Sequence, residues 1–297
     1  MWNSPSKILM VRPASFGYNA ETAANNSFQN QATFSPDLVL EQFGNALNAL
    51  RNEGIEVLVI DDLPDPPKPD AIFPNNWFSV VNGKFQLYPM FAPNRKLERR
   101  QDMKEKVEAF IGRTLQLEDW SHKENEGIFL EGTGSLVLDR LYERVYASIS
   151  PRTDKGLVRQ WAAHYDYEAI IFQAHDRQQQ AIYHTNVVLG LGETWAVVCL
   201  ECIAPEERKI LKRSLQECGK ELIEITREQM NAFAGNCMEL SNDKGGKLLV
   251  MSTSGWSSLH DNQKEKIHSF STPLIINVSE IERIGGGSIR CMIAELE

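Results

Sequence analysis

Five polar residues stand at nearly constant intervals along the chain, each at the start of a segment with the alternating pattern of a strand. They are Asn76 in FPNNWF, Glu131 in FLEGTG, His184 in YHTN, Asn236 in AGNCM and Cys291 in GGGSIRC, and consecutive members are 55, 53, 52 and 55 residues apart. A thiol, an imidazole, a carboxylate and amides are the groups that nucleophilic catalysis by a cysteine uses. Each residue alone has an ordinary structural explanation, such as a buried cysteine that serves as a small hydrophobe. Their regular spacing favours one shared site.

The secondary-structure pattern around these residues repeats with the same interval. In each copy two strands flank a turn, as in NNWFSVVNGKFQLYPM, where Asn82-Gly83 is a strong hairpin signal. Further turns are predicted at Asp139–Glu143, Gly190–Glu193 and Asn242–Gly246. A helix is predicted after each hairpin, over Lys96–Ile111, Lys155–Tyr165, Pro205–Cys218 and Ser254–Phe270.

The two ends of the chain hold the pieces of a fifth copy. SIRCMIAEL reads as a C-terminal strand, while KILMVRP, a helix over Asp37–Gly54 and the strand EVLVID lie near the N-terminus. Five copies correspond to about 59 residues each, a period worth considering as a repeat. A small sheet with one helix cannot bury its apolar face alone, so five units in a ring would share a core. The alternative from the pattern alone is an ordinary α+β domain with several hairpins.

The motifs also resemble a known family. GGGSIRC is similar to the Gly-rich cysteine motif of the guanidine-modifying, or pentein, superfamily, and YHTN is similar to its His-x-Asp segment. PDAIFPNN, LEGTGSLVL and ASISPRT resemble three further segments, and the five matches follow the family order over essentially the whole chain. The resemblance is closest to bacterial citrulline hydrolase-type members. It implies an α/β fold, a five-bladed propeller of ββαβ-type repeats around a pseudo-fivefold axis. Residues 1–297 would form a single domain whose termini complete one shared repeat.

The resemblance implies a role for several side chains. Cys291 would be the nucleophile and His184 the general acid and base, while Glu131 would orient His184 or hold the reacting group. Asp70 and Arg152 would grip the amino-acid end of a substrate, Arg152 through a bidentate contact with its carboxylate. A free thiol is only a few per cent thiolate near neutral pH. A neighbouring His184 or a cationic substrate would raise that fraction.

Amides replace carboxylates at two positions of the family pattern. Deiminases of the superfamily commonly carry Asp where this chain has Asn76 and Asn186, and those carboxylates neutralise a guanidinium. An amide has donors and an acceptor but no charge, and charge-assisted hydrogen bonds are roughly twice as strong as neutral ones. The ureido carbonyl of citrulline needs donors instead, which an Asn NH₂ supplies. The two amides therefore favour citrulline or a similar ureido compound over arginine as substrate. The resemblance to citrulline hydrolase-type members implies ornithine, carbon dioxide and ammonia as products, formed through S-carbamoyl-cysteine, and Asn236 is expected to be a further substrate-binding amide.

Two other segments bear on this interpretation. Thr133 and Gly134 replace the Gly-Asp that usually follows the acidic residue, so a familiar carboxylate behind the site is missing. The amide-rich segment from Ala14 to Gln31 is long enough to be functional. We expect it to form a rim or lid over the site, with Asn19 and Asn25 as substrate contacts. The alternative is an ordinary surface loop.

Composition limits the kinds of partner. A formal net charge of −9 argues against nucleic acid and anionic membranes, and no apolar run reaches the roughly 20 residues of a membrane span. The N-terminal residues lack the pattern of a signal peptide, so we expect a cytoplasmic protein without structural disulfides. No cofactor is expected, and the histidines show no metal-ligand spacing. The expected partner is a small ureido or guanidino amino acid, with a homodimer left open.

Two rival classes of function remain at this stage. Within the enzymes, deimination of arginine and transfer of an amidino group compete with citrulline hydrolysis. Outside them, a translation factor with the same fold binds the ribosome without chemistry. A non-catalytic binding protein is disfavoured because such a chain should have lost the Glu, His or Cys, and this one retains Glu131, His184 and Cys291.

Overall fold

The computed structural model describes residues 4–296, which form a mixed α/β fold of small sheets and short helices. The strands are β1 (Lys7–Arg12), β2 (Glu56–Asp61), β3 (Phe78–Val81), β4 (Lys84–Leu87), β5 (Gln116–Asp119), β6 (Val137–Asp139), β7 (Arg144–Ser148), β8 (Glu168–Phe172), β9 (Leu189–Leu191), β10 (Trp195–Val198), β11 (Glu221–Glu224), β12 (Met238–Ser241), β13 (Lys247–Ser252), β14 (Thr272–Ile276) and β15 (Ala294–Glu295).

Helices and short helical turns connect these strands. The helices are α1 (Ala20–Ala23), α2 (Pro36–Asn52), α3 (Pro93–Lys96), α4 (Met103–Ile111), α5 (Gly132–Ser135), α6 (Lys155–His164), α7 (Thr185–Val188), α8 (Pro205–Glu217), α9 (Arg227–Asn231), α10 (Thr253–Ser258), α11 (Asp261–His268) and α12 (Ser279–Gly285). Turns of 3₁₀-helix cover Pro74–Asn76, Ser121–Glu126 and Leu200–Cys202. Within residues 4–296, none of these helices is both long and apolar enough to cross a membrane.

The strands form five three-stranded sheets with one common order. In each sheet the first strand is antiparallel to the middle strand, and the middle strand is parallel to the third. At least one helix lies between the middle and third strands, where a parallel connection needs a crossover. Four sheets use consecutive strands, whereas the fifth joins β15 to β1 and β2, with Ala294 opposite Leu9.

The predicted hairpin turn at Asn82-Gly83 is confirmed. The two residues separate β3 from β4 and have positive φ angles of 50° and 74°. Both central residues of a type I′ turn need positive φ, and Asn and Gly tolerate it at little steric cost. The antiparallel pairing that follows joins Val81 to Lys84 and Phe78 to Leu87.

Two predicted helices differ from the observed ones. The expected helix over Lys96–Ile111 is interrupted: α3 ends at Lys96 and α4 begins at Met103. Between them Arg99 and Arg100 direct their side chains to Glu124 and Asp102. The helix expected over Ser254–Phe270 is two helices, α10 and α11. Leu259 between them has an extended backbone, and His260 just before α11 donates its backbone N–H to Gln263 Oε1 at 2.8 Å.

Buried polar contacts join neighbouring sheets. Lys220, just before β11, lies 2.9 Å from Asp139 at the end of β6, and both side chains are about 1% exposed. The Lys220 ammonium also donates to the backbone carbonyls of Gly192 and Glu193, at 3.1 and 2.8 Å. This water-excluded ion pair therefore joins the sheet of β6, β7 and β8 to the sheet of β9, β10 and β11.

We predict that Lys220→Met destabilises the protein by about 3–5 kcal/mol, because it leaves a buried carboxylate without its cation. The double variant Asp139→Leu/Lys220→Met, which removes both charges, should recover most of that loss. Equilibrium urea unfolding of the three proteins measures the effect. Equal destabilisation by the single and the double variant would contradict the assigned role of the pair.

Candidate active site

One small cavity collects side chains that are distant in the sequence. It is lined by Asn26, Asp70, Phe73, Asn76, Arg95, Arg152, Tyr183, His184, Gly285, Gly286, Gly287 and Cys291. Three of the five regularly spaced residues, Asn76, His184 and Cys291, are in this lining. The other two, Glu131 and Asn236, bind His184 and Cys291 from behind.

Short helical turns before the first strands position these residues. Asn76 ends the 3₁₀ turn before β3, Glu131 immediately precedes α5 before β6, and His184 immediately precedes α7 before β9. The sequence predicted that these residues open strands, but it gave no sign of the intervening turns. In these short turns the backbone packs closely against side chains of the site. A Cβ at Gly134 would lie 2.8 Å from His184 Nδ1 and also against Asn76 Nδ2.

The Cys291 thiol is buried and surrounded by amides. Its Sγ accepts hydrogen bonds from Asn236 Nδ2 at 3.3 Å and from Asn186 Nδ2 at 3.5 Å. Burial raises the pKa of Cys291, although the Asn236 bond opposes this shift. The thiol is therefore protonated near neutral pH, while the two NH₂ groups are placed to stabilise a thiolate once a proton leaves.

His184 and Glu131 form a buried pair. His184 Nε2 lies 2.8 Å from Glu131 Oε2, and the other carboxylate oxygen accepts from the backbone N–H of Phe91 at 3.0 Å. Burial lowers the pKa of His184 to about 4, against the attraction of Glu131. Burial disfavours the Glu131 anion, but Arg152 and His184 together outweigh it and hold the Glu131 pKa at about 2. The pair thus consists of a neutral imidazole and an ionised carboxylate.

Arg152 connects Glu131 to the segment that was expected to form a rim. Its Nη1 lies 3.6 Å from Glu131 Oε2. Its Nε and Nη2 both donate to Asn25 Oδ1, and Nη2 also donates to the carbonyl of Thr22 at 2.8 Å. The edge of the guanidinium that was expected to hold a substrate carboxylate is therefore occupied by residues 22–25.

Asp70 has one engaged oxygen and one without a partner. Oδ2 accepts from Asn19 Nδ2 at 2.8 Å and from Thr22 Oγ1 at 3.1 Å. Oδ1 is buried and has no hydrogen-bond partner among residues 4–296. Burial raises the Asp70 pKa, while the Arg95 cation opposes the shift. Asp70 thus offers a free acceptor to the cavity, and Asn19 holds Asp70 in place without lining the cavity itself.

The structure adds residues that the sequence did not single out. Arg95 donates to Asn76 Oδ1 at 2.6 Å and binds Glu98 through two hydrogen bonds of 2.9 Å. Tyr183 donates its hydroxyl to the carbonyl of Gly286 at 2.5 Å and lies under the Arg152 guanidinium. Arg95 sits in the charged run PNRKLERR, where nothing distinguishes it from surface arginines. For Tyr183, the sequence signal that could have indicated a place in the site was its position directly before His184.

The three glycines before Cys291 are packed against aromatic and loop atoms. A Cβ at Gly287 would lie 2.9 Å from the Phe73 ring, and one at Gly285 would meet the same ring at 2.9 Å. Gly286 has a φ of 65°, and a Cβ there would lie 2.7 Å from the backbone nitrogen of Gln29. Side chains would not fit here, so the triplet lets the cysteine segment approach both the cavity and residues 26–29.

Nothing in the described part of the chain forms a metal centre. Residues 4–296 contain no group of three or more His, Cys, Asp or Glu side chains close enough to hold an ion. The five cysteines are free and buried. A wider cavity between Phe28, Met230 and Phe233 contains none of the regularly spaced residues. The smaller cavity instead brings together a thiol and an imidazole, with a carboxylate bonded to the imidazole from behind.

Comparison with protein families gives one match over most of the chain. The sequence model of the family described as "N,N dimethylarginine dimethylhydrolase, eukaryotic" matches residues 12–297. A search of curated protein sequences gives no significant match.

Several solved structures are similar to this chain. One is a mutant N-terminal domain of ArgZ bound to substrate, an arginine dihydrolase from the ornithine–ammonia cycle in cyanobacteria. It is 16% identical, with a TM-score of 0.76 over 98% of this chain and 97% of that one. A mutant of AgrE in complex with L-arginine is 17% identical, with a TM-score of 0.76 over 98% of this chain and 40% of that one. A dimethylarginine dimethylaminohydrolase adduct with S-methyl-L-thiocitrulline is 15% identical, with a TM-score of 0.67 over 99% and 100%. At these identities the likeness shows the fold.

The buried His184 makes the stability depend on pH. Its pKa of about 4 in the folded protein is below its ordinary value of 6.5, so the unfolded chain takes up the proton first as the pH falls. We predict a loss of about 3 kcal/mol between pH 7 and pH 4 from this group, since each pKa unit corresponds to about 1.4 kcal/mol. Urea unfolding at several pH values should show a shallower dependence for His184→Asn. An unchanged dependence would contradict a buried, neutral imidazole.

Proposed function

The chain belongs to the N,N-dimethylarginine dimethylhydrolase family of guanidino-modifying enzymes, and from this premise we propose a thiol-dependent hydrolase of a small ureido or guanidino amino acid, with citrulline as substrate. The observation that carries the proposal is the convergence of Cys291, His184 and Asn76 on one cavity, with Glu131 behind the histidine. The products are ornithine, carbon dioxide and ammonia.

In the first step Cys291 attacks the ureido carbon. The thiol proton moves to neutral His184, and the S–C bond forms as the carbonyl electrons shift to oxygen. The amides of Asn186 and Asn236 stabilise the charge on sulfur while it develops. Glu131, which is ionised and bonded to His184, stabilises the imidazolium. The transfer to His184 is needed because burial raises the pKa of Cys291 and so keeps the thiol protonated.

In the second step the tetrahedral intermediate collapses. His184 gives its proton to the ornithine nitrogen, the C–N bond breaks, and S-carbamoyl-cysteine remains on Cys291. His184, neutral again, then removes a proton from water as the water attacks the carbamoyl carbon. The S–C bond breaks and the thiol is restored by that proton. The carbamic acid released decomposes to carbon dioxide and ammonia, so all atoms are accounted for.

Asp70 and Arg152 are proposed to hold the amino-acid end of the substrate. The unpartnered Asp70 Oδ1 suits the ammonium group, which would supply the missing donor. Arg152 suits the carboxylate, either through Nη1 or after the carbonyl of Thr22 and the Asn25 side chain move away. Asn19 and Asn25 contribute indirectly, because their side chains hold Asp70 and Arg152 in place.

The charge balance of the cavity favours a neutral reacting group. Glu131 is matched by Arg152 and His184, and Arg95 is matched by Glu98. Asn76 and Asn186, which lie next to the acid–base group and the nucleophile, contribute no charge. A guanidinium at this point would lack an unpaired carboxylate, whereas a ureido oxygen would find amide donors.

Arginine or a methylated arginine is the second candidate. ArgZ is an arginine dihydrolase, AgrE was solved with L-arginine, and a third similar structure is a dimethylarginine dimethylaminohydrolase. The free Asp70 oxygen could also face a guanidinium. Turnover of arginine would have to release ammonia from the guanidino carbon before any ureido group exists.

We further propose that the five sheets are blades around a pseudo-fivefold axis in a single domain. Two features support it: the common strand order of all five sheets and the pairing of the last strand with the first. Matching residues from different units, such as Asn76 and His184, then meet at the axis. A ring of this kind explains why the N-terminal and C-terminal segments complete one unit.

The substrate is tested with the purified protein. It is incubated separately with citrulline, arginine, agmatine and dimethylarginine, and ammonia and the amino-acid product are measured. We predict ornithine from citrulline, with kcat/KM for the guanidino compounds lower by about a hundredfold or more. A kcat/KM for conversion of arginine to citrulline that equals or exceeds that for citrulline would contradict the ureido assignment and support the second candidate.

The nucleophile is tested by substitution. Cys291→Ser should lower kcat by about a thousandfold or more, because a serine hydroxyl at this site has no comparable acidity. Cys218→Ser, at a buried cysteine outside the cavity, is the matched control and should retain full activity. Unchanged turnover by Cys291→Ser would remove the covalent mechanism.

The role of the amides is tested by restoring charge. Asn76→Asp/Asn186→Asp should lower kcat/KM for citrulline by about 100-fold, since a donor to the ureido group and a donor to the Cys291 sulfur are lost. The same variant should gain affinity for arginine, measured by calorimetric titration. Equal losses for both compounds would mean that the amides do not select the reacting group.

A further inference from the structure

We propose that the buried Arg95–Glu98 pair is a positioning device that fixes the Asn76 amide and thereby selects a neutral ureido group over a guanidinium. The inference rests on the proposed function, since it concerns how that same site recognises its substrate. It assigns a purpose to two buried charged residues that the catalytic steps do not use.

All three nitrogens of the Arg95 guanidinium are held in place. Nε and Nη2 bind the two oxygens of Glu98 at 2.9 Å each, and Nη2 also donates to the carbonyl of Phe73 at 3.0 Å. This two-point contact fixes the plane of the guanidinium. Nη1 is left to donate to Asn76 Oδ1, at 2.6 Å. Both Arg95 and Glu98 are buried, so water does not compete for these bonds.

The contact with Arg95 determines which end of the Asn76 amide faces the site. Oδ1 is taken by a charge-assisted hydrogen bond, so exchanging the amide oxygen and nitrogen would set two donors against each other. Nδ2 gives one hydrogen to Asn75 Oδ1 at 3.1 Å. Its other hydrogen has no acceptor among residues 4–296, and Nδ2 lies beside His184 across Gly134. Asn76 therefore presents a donor.

A fixed donor distinguishes the two kinds of substrate. A ureido group has a carbonyl oxygen that can accept from Asn76 Nδ2, whereas a guanidinium has only N–H groups and would meet a donor with a donor. Sites that present a fixed hydrogen-bonding group reject analogues that cannot pair with it.

The chain contains a matched control pair. Arg99 binds Glu124 through two hydrogen bonds of 2.9 and 2.8 Å, and Arg99 also donates to a backbone carbonyl, that of Tyr88. This pair has the same chemistry as Arg95–Glu98 but makes no contact with Asn76. Arg99→Met/Glu124→Leu should therefore reproduce the loss of an ion pair without changing substrate selection.

The test is a double-mutant cycle read out on substrate preference. Arg95→Met/Glu98→Leu is made in the wild-type and Asn76→Ser backgrounds, and kcat/KM is measured for citrulline and arginine. We expect the citrulline-to-arginine ratio to fall about tenfold or more in the wild-type background. In the Asn76→Ser background it should change by no more than about twofold, because the pair acts through Asn76. The control pair should leave the ratio unchanged.

Thermal denaturation of every variant separates folding from selection. If the double substitution does not fold, Arg95→Lys retains the charge but cannot bind Glu98 and Asn76 in the same geometry, and it should lower the ratio in the same direction. An unchanged citrulline-to-arginine ratio in a folded Arg95→Lys variant overturns this inference but leaves the proposed substrate standing. Equal effects in both Asn76 backgrounds, with a raised KM, would show direct contact of Arg95 with substrate and also overturn it. A wild-type protein that prefers arginine overturns both this inference and the proposed substrate.

Discussion

The burial of the Glu131 carboxylate is the constraint on which the site depends. The side chain is completely buried, and an ionised carboxylate in such a place costs several kcal/mol unless it is paired and hydrogen-bonded. Its partners are the imidazole of His184, the guanidinium of Arg152 and the backbone N–H of Phe91. Each partner belongs to a different segment, so satisfying one charge brings these segments together.

The same requirement extends from Glu131 to the rim of the cavity. Arg152 is itself buried and needs acceptors, which the carbonyl of Thr22 and the Asn25 side chain provide. Thr22 also donates to Asp70, which accepts a second hydrogen bond from Asn19 and lies 3.8 Å from Arg95. The amide-rich segment after β1 is therefore packed into the charge network of the site. Its polar composition follows from the charges it must satisfy.

The network leaves little negative charge for a cationic substrate group. The carboxylates of Glu131 and Glu98 are paired with protein cations. Of these two and Asp70, as described within residues 4–296, Asp70 alone keeps an oxygen without a hydrogen-bond partner. One free carboxylate oxygen fits the ammonium of an amino acid. On this account the reacting end of the substrate is neutral, and the amides around Cys291 and His184 recognise it through donors.

Much of this arrangement was accessible from the sequence, because hairpin turns and apolar alternation are local signals. Asn82-Gly83 predicted its turn, and the regular spacing of Asn76, His184 and Cys291 predicted that they meet. The helix boundaries near residue 100 were wrong, since side-chain pairing there overrides helix propensity. Arg95 could not be found, because its charge becomes significant only through a three-dimensional contact with Asn76.

The covalent intermediate offers the most direct test of the central claim. Enzyme turning over citrulline labelled at the ureido carbon is quenched in acid, digested and analysed by mass spectrometry. The account predicts a single labelled carbamoyl group on the peptide that contains Cys291, without the ornithine skeleton. A labelled adduct that retains the amino-acid skeleton, or label on any other residue, would contradict it.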